Sequence, residues 1–125
     1  MEGIEKPTFF FDTYAFFEIV RGNQKYEAYK NVTAITTIFN LAELNYGLKK
    51  ECNEKIADET TQSYEPFLVD VTLDDVKKAM SLRHKHKQLS IPDAIGYTLA
   101  RRYNIKFLTG DDDFNDFPHV EFVKK

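Results

Sequence analysis

Short apolar runs alternate along the chain with stretches in which apolar side chains recur every third or fourth position. The first run, Thr8–Phe11, is uninterrupted and ends at Asp12, the pattern of a strand covered on both faces. Asp12 and Thr13 open a helix through Tyr14, Phe16, Phe17, Ile19 and Val20, which stops near Gly22. A short helix over Gln24–Lys30 and a second strand over Val32–Ile35 follow. Thr36 or Thr37 then caps a helix from Ile38 to about Glu51 that is apolar around most of its girth and is therefore expected to be well buried. Asn53–Tyr64 reads as a weakly amphipathic helix stopped by Pro66, and Phe67–Val71 as a third strand. Thr72 caps a charged helix, Leu73–Lys87, with Val76, Ala79, Met80 and Leu82 facing inward. Ser90, Pro92 and Asp93 form the start of one more helix, whose Ile91, Ala94, Ile95 and Leu99 make a core-facing stripe ending near Asn104. Ile105–Leu108 is a fourth strand and Val120–Val123 a last one. Residues up to Pro7 form a polar lead-in. Strands alternating with helices predict an α/β fold: a three-layer α/β/α sandwich around a central, mostly parallel sheet, formed by one domain over residues 1–125.

Composition changes this picture in three places. Eleven Phe and seven Tyr with no Trp imply a core built on aromatic rings. Cys52 has no partner for a disulfide, no apolar run reaches the length of a membrane span, and the start lacks a secretion signal, so a cytoplasmic protein without a membrane role is expected. The net charge of −3 argues against an open nucleic-acid-binding surface. Setting aside four carboxylates that share a cation leaves +1 on the rest of the chain, and Lys77, Lys78, Arg83, Lys85, Lys87, Arg101 and Arg102 could then form a basic rim.

Four acidic residues stand out by position. Asp12 ends the first strand, Glu43 lies in the apolar helix after the second, Asp93 opens a helix, and Asp111 follows the fourth strand. Right-handed crossovers put the carboxyl ends of parallel strands on one edge, and each crossover helix starts at that edge. Taken singly, Asp12 could cap a helix, Asp93 could complete a capping box with Ser90, and Asp111–Asp113 could be a solvated turn. Glu43 is harder to explain so, because no Lys or Arg lies three or four residues away and a buried charge must be paired, protonated or bound to a metal. Gathered carboxylates suit a hard divalent cation, Mg²⁺ or Mn²⁺. His84 and His86 are two apart and point to different helix faces, which disfavours zinc there.

The stretches FFFDTYAFFEIVRG, TIFNLAELNYGLKK and IPDAIGYTLARRYNIKFLTGDDDF, with the closing aliphatic strand, resemble the PIN domain, and most closely its small VapC-type toxin ribonucleases. The resemblance spans nearly the whole chain. It carries the family's acidic positions onto Asp12, Glu43, Asp93 and Asp111, and its T-x-D-x-D-F run onto Thr109, Asp111, Asp113 and Phe114. It implies a metal-dependent endoribonuclease, usually a homodimer, inhibited by a small VapB-like antitoxin encoded beside it.

On this reading Mg²⁺ or Mn²⁺ is held by Asp12, Asp93 and Asp111, and Glu43 orients the attacking water, binds a second ion or accepts a proton. Thr13, Thr109 and Asp113 are candidates for supporting substrate or ligand. Two rivals differ in class. A phosphoacceptor receiver domain would need an acidic pair before its first-strand Asp and a Lys after the fifth strand, whereas here the pair is missing and Lys124 is near-terminal. A PIN-like module that only binds RNA or a partner would not need all four acids.

Overall fold

The computed structural model describes residues 7–125, so the polar lead-in lies almost wholly outside the described residues. In chain order the elements are β1 (Thr8–Phe11), α1 (Thr13–Val20), a 3-10 turn (Gln24–Asn31), β2 (Thr33–Ile35), α2 (Ile38–Glu51), α3 (Glu54–Ser63), α4 (Leu73–Lys85), α5 (Ile91–Arg102), β3 (Lys106–Thr109) and β4 (Val120–Phe122). The four strands form one sheet in the order β2-β1-β3-β4, and every pairing is parallel.

The unbroken apolar run of β1 is explained by its central place. Successive side chains of a strand point to opposite faces. Phe9 and Phe11 join Ala15, Phe16, Leu41, Leu44, Leu48 and Ala57 on the side of α1, α2 and α3. Phe10 points the other way, into a cluster with Leu89, Tyr97, Leu99 and Phe107 under α5. The rings of Phe10 and Phe107 stack across the β1–β3 pair with centroids 5.5 Å apart. Helix α5 lies close over this pair because it presents Gly96: a Cβ there would stand 2.8 Å from the Phe10 ring and 3.1 Å from that of Phe107. The α/β/α layering expected from the alternation is therefore the layering observed.

Helix boundaries follow their capping residues. Thr37, Asn53, Thr72 and Ser90 each accept a hydrogen bond from a backbone N–H of the first turn, and Thr72–Asp75 and Ser90–Asp93 are full capping boxes. At the other ends Gly22, with φ 76°, takes the left-handed turn after α1, and Asn104, with φ 55°, takes it after α5.

Four expectations need correction. Phe67–Val71 is no strand of the sheet: it follows a 3-10 turn at Glu65–Phe67 and makes a single parallel bridge, Thr36 to Leu68. The cause is the shortness of β2: only Thr36 pairs with this segment, its N–H bonding Phe67 O and its carbonyl accepting the Val69 N–H, before Thr37 caps α2. The short helix expected over Gln24–Lys30 is present but runs one residue further, to Asn31, with 3-10 geometry, tied to the end of the chain by the hydroxyls of Tyr26, donating to Val123 O at 2.7 Å, and Tyr29, donating to Glu121 at 2.7 Å. Helix α4 ends at Lys85, two residues early, because His86 turns the chain toward the Ser90 cap. Finally, α2 is not buried all round: Ile38, Phe39 and Tyr46 are exposed, since helices and sheet cover only one side of it.

Among the described residues no helix is long and apolar enough to cross a membrane.

Candidate metal centre

The parallel register of β1 and β3 decides where the chemistry can lie. Phe11 pairs with Leu108, so the next residues, Asp12 and Thr109, leave the sheet side by side at its carboxyl edge. The Asp12 N–H donates to Leu108 O at 3.1 Å, continuing the ladder by one step. One Asp12 carboxylate oxygen accepts the Thr13 N–H at 2.8 Å, and the other accepts the Thr109 hydroxyl at 2.7 Å. Asp12 thus caps α1, as its position suggests, and remains 2 % exposed while doing so.

The other acids reach this edge by three routes. Helix α5 starts there, and its capping box holds Asp93: the Ser90 N–H donates to the carboxylate at 3.0 Å. Glu43 faces the edge from the second turn of α2, where it accepts the Thr13 hydroxyl at 2.8 Å. Asp111 follows β3, its N–H bonded to the Thr109 hydroxyl at 3.1 Å and its carboxylate accepting the Asp113 N–H at 2.9 Å. Asp12, Thr13, Glu43, Asp93, Asp111 and Asp113 all line one cavity of about 670 Å³. Thr109 is fully buried beneath it.

Among the described residues none of the ion pairs involves Asp12, Glu43, Asp93, Asp111 or Asp113. The electrostatic consequence is direct. Burial, reinforced by the neighbouring Asp93 and Glu43, pushes the Asp12 carboxyl up to about 8 despite the bonds from Thr109 and Thr13. Glu43 is raised by burial against its Thr13 bond, with Asp93 adding to the rise. Asp93 is raised by burial and then by Asp111 and Asp113, against the bonds from Ser90. Asp113 is raised by burial and by Asp111 and Asp112.

The donor set fits a hard divalent ion: it is all carboxylate oxygen, it is partly desolvated, and none of it is ion-paired among the described residues. As placed, no three His, Cys, Asp or Glu side chains among the described residues form a ready-made metal cluster. The carboxylates of Asp12, Glu43, Asp93 and Asp111 are instead each turned to a bond within the protein, and mutual repulsion favours that spread.

Several surrounding residues were not singled out from sequence. Asn40 is fully buried and donates its amide to the Thr13 hydroxyl at 3.2 Å, while its carbonyl oxygen accepts the Thr37 hydroxyl at 2.7 Å. Thr37, Asn40 and Thr13 therefore form a chain that orients Glu43. The available signal was an amide inside an apolar helix, one turn before Glu43. Lys50, whose ammonium lies 4.1 Å from the centre of the Tyr46 ring, also lines the cavity. Tyr46 itself is exposed, unlike most of the aromatic residues that build the core. The proposed basic rim is reduced, because Arg102 is committed to Asp75 and Lys78 to Asp74.

The family model described as PIN domain matches residues 9–120. No curated protein matches the sequence. Solved structures share the fold, three of them as follows. A toxin-antitoxin complex from Klebsiella pneumoniae aligns at TM-score 0.75 and 20% identity, covering 94% of this chain and 99% of that one. VapBC2 from Rickettsia felis, bound to a DNA fragment from the promoter, aligns at TM-score 0.70 and 18% identity, covering 94% and 98%. VapBC-5 from Mycobacterium tuberculosis, a member of the VapBC family of toxin-antitoxin systems, aligns at TM-score 0.67 and 23% identity, again covering 94% and 98%.

Proposed function

The chain belongs to the PIN domain family, and on that premise we propose that it is a divalent-metal-dependent endoribonuclease, the toxin of a toxin-antitoxin pair that acts in the cytoplasm. The observation that carries the reading is Asp12: a buried carboxylate with no cationic partner, sharing one cavity with Glu43, Asp93 and Asp111. The structural neighbours are toxin-antitoxin complexes, which supports a VapB-like antitoxin as partner. A homodimer is the expected assembly.

Asp12, Asp93 and Asp111 would hold Mg²⁺ or Mn²⁺ through carboxylate oxygens, with Glu43 beside them or on a second ion. When bound, such an ion acidifies a water and polarises the scissile phosphodiester. Glu43, held by the Thr13 hydroxyl, would orient the attacking water and take its proton; burial already raises its affinity for one. Thr109 fixes the Asp12 carboxylate, and Ser90 fixes Asp93. Asp113 would support the site from the rim. Lys50 is the basic residue lining the cavity among the described residues, and it would meet a phosphate of the incoming strand. Even with the proton that Asp12 keeps, the acidic cavity repels RNA, so substrate should bind poorly until a cation is present.

The test is cleavage of a mixed RNA pool by the purified chain. Cleavage with Mg²⁺ or Mn²⁺ that stops in EDTA and returns with excess metal is expected. Metal-independent cleavage would overturn the mechanism. No cleavage of any RNA at any metal concentration would favour a PIN-like module that only binds RNA or a partner.

A further inference from the structure

A second cavity, of about 610 Å³, adjoins the carboxylate cavity and shares Gln88 and Asp113 with it. Its chemistry is different. The floor is aromatic: the rings of His86 and Phe117 lie 4.9 Å apart, and Phe117 meets Tyr97 edge-on at 5.3 Å. Tyr97 is buried and its hydroxyl is spent on Pro118 O at 2.6 Å, so it offers a wall rather than a donor. The polar rim is dominated by carboxylates. Asp112 is already paired with Lys124 at 2.6 Å. Asp116 makes no hydrogen bond or ion pair among the described residues, and neither does the Gln88 amide, so both are free to meet a ligand.

The rings are not coplanar, His86 at 60° and Tyr97 at 86° to Phe117, so a planar ligand can stack on only one of them; this lining under carboxylate acceptors disfavours a phosphate and suits a planar group rich in N–H donors. Beside a phosphodiester-cleaving centre that group is a nucleobase, since sequence-selective contacts to RNA use unstacked bases laid on aromatic rings and read along their edges. Among the four bases guanine alone presents two adjacent N–H donors, N1–H and N2–H₂, which one carboxylate can accept together. Adenine and cytosine place an acceptor beside their amino group, and uracil places its N–H between two carbonyls. We propose that this cavity is a guanine-reading subsite: the base stacks on Phe117 with His86 inclined at its edge, the Asp116 carboxylate takes its N1–H and N2–H₂, and the Gln88 amide donates to O6 or N7. The guanosine would stand next to the scissile linkage, because the two cavities share a wall. The inference rests on the ribonuclease reading for its substrate, but its test separates the two.

The full chain in EDTA is titrated with guanosine, adenosine, cytidine and uridine, followed by ¹H–¹⁵N NMR. Guanosine is expected to bind about 10- to 100-fold more tightly than the others, with shifts at Gln88, Asp116 and Phe117. Asp116→Asn, a surface change that keeps the fold, should remove that preference, and Phe117→Ala should weaken all four. In a cleavage assay on randomised RNA, wild type should select G at one fixed position, and Asp116→Asn should still cut without that selection. Guanosine binding in a protein that cleaves nothing would refute the nuclease and keep the subsite. Active enzyme that is indifferent to guanine, with no nucleoside preference, would refute the subsite and keep the nuclease. Displacement of guanosine by N-methylguanidinium at equal or lower concentration would assign the pocket to an arginine of a protein partner and overturn the proposal.

Discussion

Asp12→Asn is expected to abolish metal-dependent RNA cleavage, by about 100-fold or more, and at the same time to make the metal-free protein more stable at neutral pH. The two signs together distinguish a functional carboxylate from a structural one. Asp12 is 2 % exposed and faces other acids, and its carboxyl is held up to about 8. A carboxyl raised above its unfolded value of 3.8 contributes fully below that value, and its contribution is lost as pH rises through about 8. The metal-free fold should therefore weaken steadily across that range. Asparagine has nearly the same shape, carries no charge, and can still meet Thr13 N–H and the Thr109 hydroxyl, which accepts as well as donates. In EDTA at pH 7 the variant should gain roughly 2–4 kcal/mol in urea unfolding, and the gain should vanish near pH 4. A variant that is inactive and also less stable at every pH would reduce Asp12 to a helix cap.

Arg102→Met carries the second large effect, on stability alone. Arg102 closes a two-point pair with Asp75, Nε to Oδ1 at 2.9 Å and Nη2 to Oδ2 at 3.0 Å, and Nη2 also donates to Asp70 O at 3.2 Å. The Asp75 side chain is 2% exposed while that of Arg102 is 42% exposed. Removing the arginine leaves a buried carboxylate bonded only by the Thr72 N–H. Loss of one partner of a fully buried pair costs about 3–5 kcal/mol. Solvent around Arg102 screens the pair, so about 2 kcal/mol is expected here. Burial tends to raise Asp75, but the Thr72 and Arg102 bonds outweigh it and hold the carboxyl below its ordinary value of 3.8. Its contribution is thus present above that value and lost as pH falls through the lower folded value. The cost of Arg102→Met should accordingly be full at pH 7 and fade below about pH 4, the reverse of the trend for Asp12→Asn. Chemical denaturation at the two pH values measures both.

The residues that announced themselves in the sequence did so because local rules fix them. Thr72 and Ser90 mark helix starts through side chains reaching three residues ahead, and the unbroken run of β1 could lie only at the centre of a parallel sheet. Asp12, Glu43, Asp93 and Asp111 were conspicuous because each stands at a strand end, at a helix start, or alone in an apolar face. The features that escaped depend on distant parts of the chain. Whether Phe67–Val71 becomes a strand turns on how much of β2 remains to pair with it, and Val69 bonds Thr36 only once. The exposure of Ile38, Phe39 and Tyr46 depends on how far neighbouring elements reach around α2, which hydrophobic spacing does not encode. Asn40 and Asp75 are both buried polar groups whose partners, Thr13 and Arg102, lie 27 residues away. An amide or carboxylate in a helix carries no mark of that distant bond.

At the centre of the account is a carboxylate that keeps its proton until a cation replaces it. Calorimetric titration of Mn²⁺ into the metal-free chain at pH 7, run in two buffers of different ionisation enthalpy, measures binding and proton release together. Wild type should bind Mn²⁺ and release about one proton per ion, and Asp12→Asn should bind at least tenfold more weakly and release almost none. Equal affinity and equal proton release in the two proteins, or no Mn²⁺ binding by wild type, would contradict it.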